Sequence, residues 1–108
     1  MGTAERELRA AQNQMLLRSV NERIEELGET LGGASPELDF ACECCDTSCT
    51  ERVRLSILDF RAIEQKENQF FVLRGHEVAD VEDTIAEHDG FLIVSKRGAG
   101  AEFVKEHS

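Results

Sequence analysis

The chain has 108 residues, with 12 Lys or Arg against 22 Asp or Glu, which gives a formal net charge of −10. This length predicts one domain, and the densest basic stretch is only Lys96-Arg97, so the chain offers no basic face for neutralising phosphates. Composition therefore argues against nucleic acid or anionic membrane as partners, and leaves another protein or a second copy of the chain.

The sequence also bears on the cellular compartment. No run of about 18 apolar residues occurs that would predict a membrane-spanning helix. The start of the chain lacks the basic and apolar stretches of a signal peptide, so we expect a cytoplasmic protein. Because thiols stay reduced in that compartment, clustered cysteines indicate a metal site or redox chemistry rather than a disulfide framework.

Residues 1–33 are predicted to form a long amphipathic N-terminal helix. Its heptad positions, over about three heptads, are Ala10, Asn13, Leu17, Val20, Ile24, Leu27 and Leu31. Thr3 is the expected N-cap, Gly32-Gly33 ends the helix and Ser35-Pro36 begins a turn. The apolar stripe has two interpretations: a helix that lies along its own domain, or a homodimeric helical pair through residues 10–31.

Residues 37–96 are predicted to fold as a zinc-binding α+β domain. It is expected to contain one small zinc-knuckled β-sheet of three to four strands and two short helices. Alternating or apolar runs predict the strands Leu38–Cys42, Arg52–Ser56, Gln69–Arg74 and Phe91–Ser95. The last of these is the most apolar, which is typical of a central strand that is buried on both faces.

The two short helices and the end of the chain follow from local signals. Ser56 and Asp59 resemble a capping box, which opens a helix that extends to Lys66. Apolar spacing predicts the second helix at Val78–Glu87, ahead of a glycine that ends it. Residues 97–108 contain two glycines and an acidic end, and are expected to form a loosely ordered tail.

Four of the eight residues from Cys42 to Cys49 are cysteines, which is the least expected feature of the chain. If the chain is extended from Cys42 to Cys44, the period of two puts both sulfurs on one side and directs Cys45 away. The turn-forming residues 46–48 then allow Cys49 to face the first two. Such thiolates favour zinc, although they also suit an iron–sulfur cluster or Cu(I).

A Cys3His zinc site needs a fourth ligand, and His76 is the leading candidate because it lies at a Gly-His corner after a predicted strand. Cys45 is close in the sequence but wrongly directed. His88 lies on the apolar face of the predicted second helix, and His107 lies in the predicted tail. Cys45 and His88 stay open as alternatives, and the predicted zinc ligands are Cys42, Cys44, Cys49 and His76.

The chain carries the motifs Asn21-Glu22-Arg23-Ile24, Phe40-x-Cys42-Glu43-Cys44, Cys49-x-Glu51-Arg52, Gly75-His76-Glu77 and His88-Asp89-Gly90-Phe91-x-Ile93-Val94. Over residues 20–96 it thereby resembles a family of small uncharacterised bacterial proteins that is common in actinobacteria. The resemblance implies the same Cys3His constellation. Because the family pattern usually has a non-thiol residue at the place of Cys45, the resemblance also implies that Cys45 is a spare thiol.

The prediction of function starts from the number of protein ligands at the metal site. Four protein ligands fill a tetrahedral shell, whereas a catalytic zinc keeps one position open. No Gly-rich phosphate loop or nucleophile elbow occurs, so an enzyme is not expected. The leading prediction is a protein-interaction or regulatory module with structural zinc. The alternative is a thiol-based redox or metal-responsive switch that uses Cys45 and the zinc thiolates. The part played by Cys45 requires that this thiol be accessible and have a lowered pKa.

Overall fold

The computed structural model describes residues 3–31, 37–46 and 48–107, which form an α+β fold. Its elements in chain order are α1 Thr3–Leu31, β1 Glu37–Ala41, β2 Arg52–Ser56, α2 Ile57–Glu64, β3 Gln69–Val72, β4 Glu82–His88, β5 Phe91–Lys96 and α3 Gly98–His107. The predicted fold class is confirmed. The predicted helix end at Gly32-Gly33 and turn at Ser35-Pro36 lie outside the described residues, as do the side chains of Thr3 and Leu31.

The described strands form two antiparallel sheets, where the sequence predicted a single sheet of three to four strands. Strands β1 and β2 make a two-stranded sheet, and the other three have the order β3-β5-β4. The strand predicted at Phe91–Ser95 is therefore central, as expected. Phe40 of β1 stacks on Phe60 of α2 at 4.7 Å, and both meet Phe71 of β3 edge to face. This aromatic cluster joins the two sheets in one core.

The prediction of a helix at Val78–Glu87 is wrong, because most of this segment belongs to strand β4, Glu82–His88. The apolar residues there recur at helical spacing, and the prediction followed that spacing. A two-residue turn at Asp89-Gly90 joins β4 to β5, and Gly90 has a φ of 88°. Glycine adopts this left-handed conformation readily, and Asp-Gly between strands favours a hairpin. Pairing with the central strand therefore overrides the helical pattern.

The end of the chain is ordered by packing against α1. Residues 98–107 form α3, whereas the sequence predicted a loosely ordered tail at 97–108. Val104 is only 2% exposed, and a Cβ at Gly100 would come within 2.7 Å of the Glu7 carbonyl oxygen of α1. The absence of a side chain at Gly100 thus permits the close approach of two helices.

The side of α1 that faces the rest of the molecule combines apolar side chains with an unusual number of buried polar ones. Its fully or almost fully buried side chains include Gln14, Arg18 and Asn21. The predicted apolar stripe is split, because Leu17 and Ile24 are half-buried whereas Val20 and Leu27 are exposed. Neither α1 nor any other helix in the described part of the chain has the length and apolar character that crossing a bilayer requires.

Candidate metal centre

The four predicted ligands come together in the structure. Cys42 directly follows β1, Cys44 and Cys49 lie in the loop before β2, and His76 lies after β3. The ligand atoms of these residues all lie within 4.8 Å of one another. His76 Nδ1 is 3.7 Å from Cys42 Sγ and 3.6 Å from Cys49 Sγ. Two separate loops therefore bring three sulfurs and one ring nitrogen to a single point.

These distances fit a metal ion of tetrahedral preference. With Zn–S of about 2.3 Å and Zn–N of about 2.0 to 2.1 Å, a regular tetrahedron separates sulfur from nitrogen by about 3.5 to 3.6 Å. The observed separations are 3.6 and 3.7 Å. Cys42 and Cys44 are buried, at 1% and 2% exposure, while Cys49 and His76 are partly exposed. The cluster can therefore hold a metal ion at the edge of the core.

A tight turn positions the third cysteine. The Cys49 N–H donates to the Asp46 carbonyl at 3.1 Å. Asp46 Oδ1 accepts a hydrogen bond from the Ser48 N–H at 2.9 Å and another from the Ser48 hydroxyl at 2.6 Å. These bonds hold the pKa of Asp46 below its usual value. The turn chemistry that the sequence predicted here thus directs Cys49 back toward the first two cysteines.

His76 is held by a corner that needs glycine. Gly75 has a φ of 88°, in the left-handed region that side chains disfavour. The Gly75 N–H donates to Glu77 Oε1 at 2.7 Å, and the His76 N–H donates to the Leu73 carbonyl at 2.9 Å. The Leu73 N–H in turn donates to Cys42 Sγ at 3.3 Å. The same short corner therefore supplies one ligand and a hydrogen bond to another.

Without a cation, the buried thiols of this cluster keep their protons. Burial raises the pKa of Cys42 to about 12, with the Leu73 N–H opposing the shift and the neighbouring thiols adding to it. Burial also raises the pKa of Cys44. Because thiolates are the ligating form, a metal must displace these protons, and its affinity is expected to increase with pH.

The two alternative ligands lie elsewhere. Cys45 Sγ lies 3.7 Å from Lys96 Nζ and 4.0 Å from Glu82 Oε1. His88 is exposed on β4 and its ring stacks on Phe91 at 4.8 Å. Among the described residues, neither belongs to the group that could hold a metal ion. The geometry therefore favours His76 as the fourth ligand.

The surroundings of Cys45 also bear on the predicted redox switch. Burial and the Glu82 carboxylate raise the pKa of Cys45 to about 11, although Lys96 opposes the shift. A switch based on this thiol requires the opposite direction, because the thiolate is the form that reacts with oxidants. The structure therefore disfavours Cys45 as the reactive group of such a switch.

The sequence analysis missed the polar side chains that fix the segment between the first two ligands. Glu43 lies there with 0% exposure. Arg18 donates two hydrogen bonds to its carboxylate, from Nε at 2.6 Å and from Nη2 at 2.8 Å. Asn21 Nδ2 at 3.0 Å and the Phe71 N–H at 3.3 Å also donate to it. The carboxylate is thus paired and hydrogen-bonded, as a buried charge must be.

Helix α1 also binds the backbone of the ligand-bearing segment, residues 41–45. Its amide side chains donate to backbone carbonyls there: Asn13 to Cys45 at 2.9 Å, Gln14 to Glu43 at 2.8 Å, and Asn21 to Ala41 at 2.9 Å. Asn21 Oδ1 also accepts from the Ala41 N–H at 2.7 Å. Positions 14, 18 and 21 lie on one helix face, but a polar face ordinarily indicates exposure to solvent, so the sequence carried no signal for this contact.

Comparisons with protein-family models, with curated proteins and with solved structures give no match to this chain. The resemblance to the small actinobacterial proteins therefore stays a prediction. The positions and chemistry of the four donor side chains are the observations from which a function can be inferred.

Proposed function

We propose that the protein is a small zinc-binding module whose metal is structural. The observation that carries the proposal is the meeting of Cys42, Cys44, Cys49 and His76, whose ligand atoms lie within 4.8 Å of one another. Three thiolates and one imidazole are typical donors of closed structural zinc sites. Four protein ligands leave no position for a reacting water, which a catalytic zinc requires.

A zinc ion here would join the loop between β1 and β2 to the corner after β3. These segments belong to different sheets, so the ion would hold the two sheets together. Because the ligands must be gathered from separate parts of the chain, the free energy of metal binding adds to that of folding. A domain of this size buries a limited core, so a metal contributes a large share of its stability.

On this proposal the protein acts through its surfaces, as a protein-interaction or regulatory module. Support comes from apolar side chains that the fold leaves in solvent. Leu16, Val20 and Leu27, which lie on one face of α1, are 62%, 48% and 55% exposed. Exposed apolar residues that lie in one continuous patch often mark an interaction site.

The metal content of the purified protein, measured per chain by elemental analysis, tests the zinc proposal. One zinc per chain is expected for the native protein, and loss of zinc is expected for Cys49→Ser and His76→Ala. Cys45→Ser and His88→Ala are matched controls, since they change a cysteine and a histidine outside the cluster, and both are expected to keep zinc. Iron in place of zinc, or zinc retained in His76→Ala, would contradict the proposed ligand set.

A further inference from the structure

The face of α1 that points away from the domain has an apolar centre. Leu16, Val20 and Leu27 are 62%, 48% and 55% exposed. Successive residues turn by about 100°, so Leu16 and the buried Arg18 point to nearly opposite sides of the helix. The 29 residues of α1 span about 43 Å, and the longest extent of the molecule is 48 Å. The helix therefore extends along nearly the full length of the molecule.

The exposed residues follow a heptad pattern that differs from the predicted one. Alternate steps of four and three residues along the outer face select a set that we name the outer seam: Arg9, Asn13, Leu16, Val20, Arg23 and Leu27. All are exposed except Asn13, which is half-buried and donates to the Cys45 carbonyl at the edge of the seam. Ile24, which was predicted to lie in the seam, instead packs against the core of its own chain. Steps of three and four are the spacing by which two helices pair along their length.

The charges of the outer seam distinguish between the two orientations of such a pair. In a parallel pair in register, Arg9 would face its own copy and so would Arg23, which creates two like-charge contacts. In an antiparallel pair centred between Leu16 and Val20, each Leu16 faces Val20 of the second copy and each Arg9 faces Leu27 of the second copy. The antiparallel arrangement removes both like-charge contacts, which cost stability between helices as they do within one.

The distribution of charge along α1 favours the same orientation. Residues 3–17 contain two Arg and two Glu, a net of zero, whereas residues 19–31 contain one Arg and four Glu, a net of −3. Arg18, between the two halves, is buried against Glu43 and is not counted. A parallel pair would place the two acidic halves side by side. An antiparallel pair separates the two acidic halves and places each beside the neutral half of the other copy, with Arg9 next to Glu26 of the second copy.

We propose that the outer seam binds the outer seam of a second copy of this chain, in an antiparallel pair with two-fold symmetry. A two-fold interface uses the same patch twice and must be complementary to itself. Reversal about the centre of the outer seam places Leu16 against Val20, Arg9 against Leu27 and Asn13 against Arg23. The apolar centre then packs on itself, and no two like charges face each other. The proposal deepens the proposed function, on which it rests, by naming the partner of the interaction module.

Sedimentation equilibrium of the zinc-loaded protein, from about 1 µM to about 1 mM, tests the pairing. A reversible monomer–dimer equilibrium is expected, and Leu16→Glu is expected to weaken it at least about tenfold. Leu58→Glu is the matched control, since Leu58 on α2 is 61% exposed against 62% for Leu16 but lies outside the outer seam. A monomer at all concentrations, or equal weakening by both changes, would overturn the proposal.

Charge reversal tests the orientation. Arg9→Glu is expected to weaken the antiparallel dimer, because it brings a carboxylate next to Glu26 of the second copy. The double change Arg9→Glu with Glu26→Arg is expected to restore association, since the exchanged charges again attract. In a parallel dimer the two residues do not meet. If the double change fails to restore association, the antiparallel orientation is overturned.

Zinc content and far-UV circular dichroism, measured on the same samples, separate this proposal from the previous one. All of these substitutions are at exposed positions, so folding and zinc are expected to be unchanged. A zinc-loaded protein that stays monomeric would overturn the pairing and leave the zinc site standing. A zinc-free protein that forms a dimer weakened by Leu16→Glu and Arg9→Glu would support the pairing and overturn the structural-zinc proposal.

Discussion

Replacing Arg18 by methionine tests whether its buried ion pair with Glu43 holds α1 on the ligand-bearing segment. Arg18→Met removes two hydrogen bonds to the Glu43 carboxylate, at 2.6 and 2.8 Å, and one to the Gln69 carbonyl at 2.7 Å. Glu43 keeps its bonds from Asn21 and from the Phe71 N–H. A carboxylate with 0% exposure is thereby left without its counter-ion.

The expected cost follows from the uncompensated charge. Removing one partner of a buried ion pair destabilises a protein by about 3–5 kcal/mol. Two lost hydrogen bonds to a charged group, at about 1.5–3 kcal/mol each, give a similar sum. The Arg18 guanidinium also lies 4.6 Å from the centroid of the Phe70 ring, and methionine can keep an apolar contact there. We therefore expect a loss of about 3–5 kcal/mol that is mainly electrostatic.

Urea unfolding of the zinc-loaded proteins measures this loss. Arg74→Met is the matched control, because Arg74 forms an exposed ion pair with Glu87 at 2.6 Å. Exposed pairs contribute little, so the control is expected to cost below about 1 kcal/mol. If Arg18→Met costs no more than Arg74→Met, the buried pair is not what holds α1 in place, and the reasoning is refuted.

Gly100→Val is expected to destabilise the protein by about 1–3 kcal/mol in thermal unfolding, because its side chain would meet the Glu7 carbonyl of α1. The exposed change Glu102→Val in the same helix is the control, and an equal loss there would argue against close packing. Burial and a neighbouring carboxyl raise the pKa of Glu64 to about 7. The folded state therefore binds that proton more tightly than the unfolded state, and stability falls as pH rises from about 4.5 to about 7. Glu64→Gln should accordingly be more stable to urea than the native protein at pH 8, and this difference in stability should shrink toward pH 5. A difference that does not depend on pH would count against this pKa. Cys45→Ser is expected to leave the rate of peroxide-induced zinc release unchanged, because the pKa of about 11 keeps this thiol protonated. Slower release, followed with a chromogenic chelator, would return Cys45 to a redox role.

Features that depend on neighbouring residues in the chain could be predicted from the sequence. Ser56 Oγ accepts from the Asp59 N–H at 3.0 Å and caps α2, as the capping pattern predicted. Alternation from Cys42 to Cys44 placed two sulfurs on the same side, and the Gly-His corner at His76 supplied the fourth donor. In each case the backbone conformation is decided within a few residues, where propensity and turn chemistry act.

Features that depend on distant partners could not be predicted in this way. Polar residues at positions 14, 18 and 21 of α1 are expected in solvent, and only the backbone of residues 41–45 and the Glu43 carboxylate explain their burial. Strand β4 likewise forms because β5 pairs with it, although the apolar residues of this segment recur at a spacing that predicts a helix. The helix α3 forms where Gly100 allows close contact with α1. Long-range contacts override local preference at all three places.

The buried polar side chains of α1 make the docking of this helix dependent on the metal centre. Ala11, Met15 and Ile24 give α1 apolar contacts with the core. The buried side chains of Gln14, Arg18 and Asn21 depend instead on hydrogen bonds to residues 41–45. Those bonds require one backbone conformation in the segment that supplies Cys42 and Cys44. If zinc holds that conformation, its removal leaves buried polar groups of α1 without aligned partners, at about 1–3 kcal/mol for each unpaired group. Metal loss would then loosen α1 together with the cysteine loop.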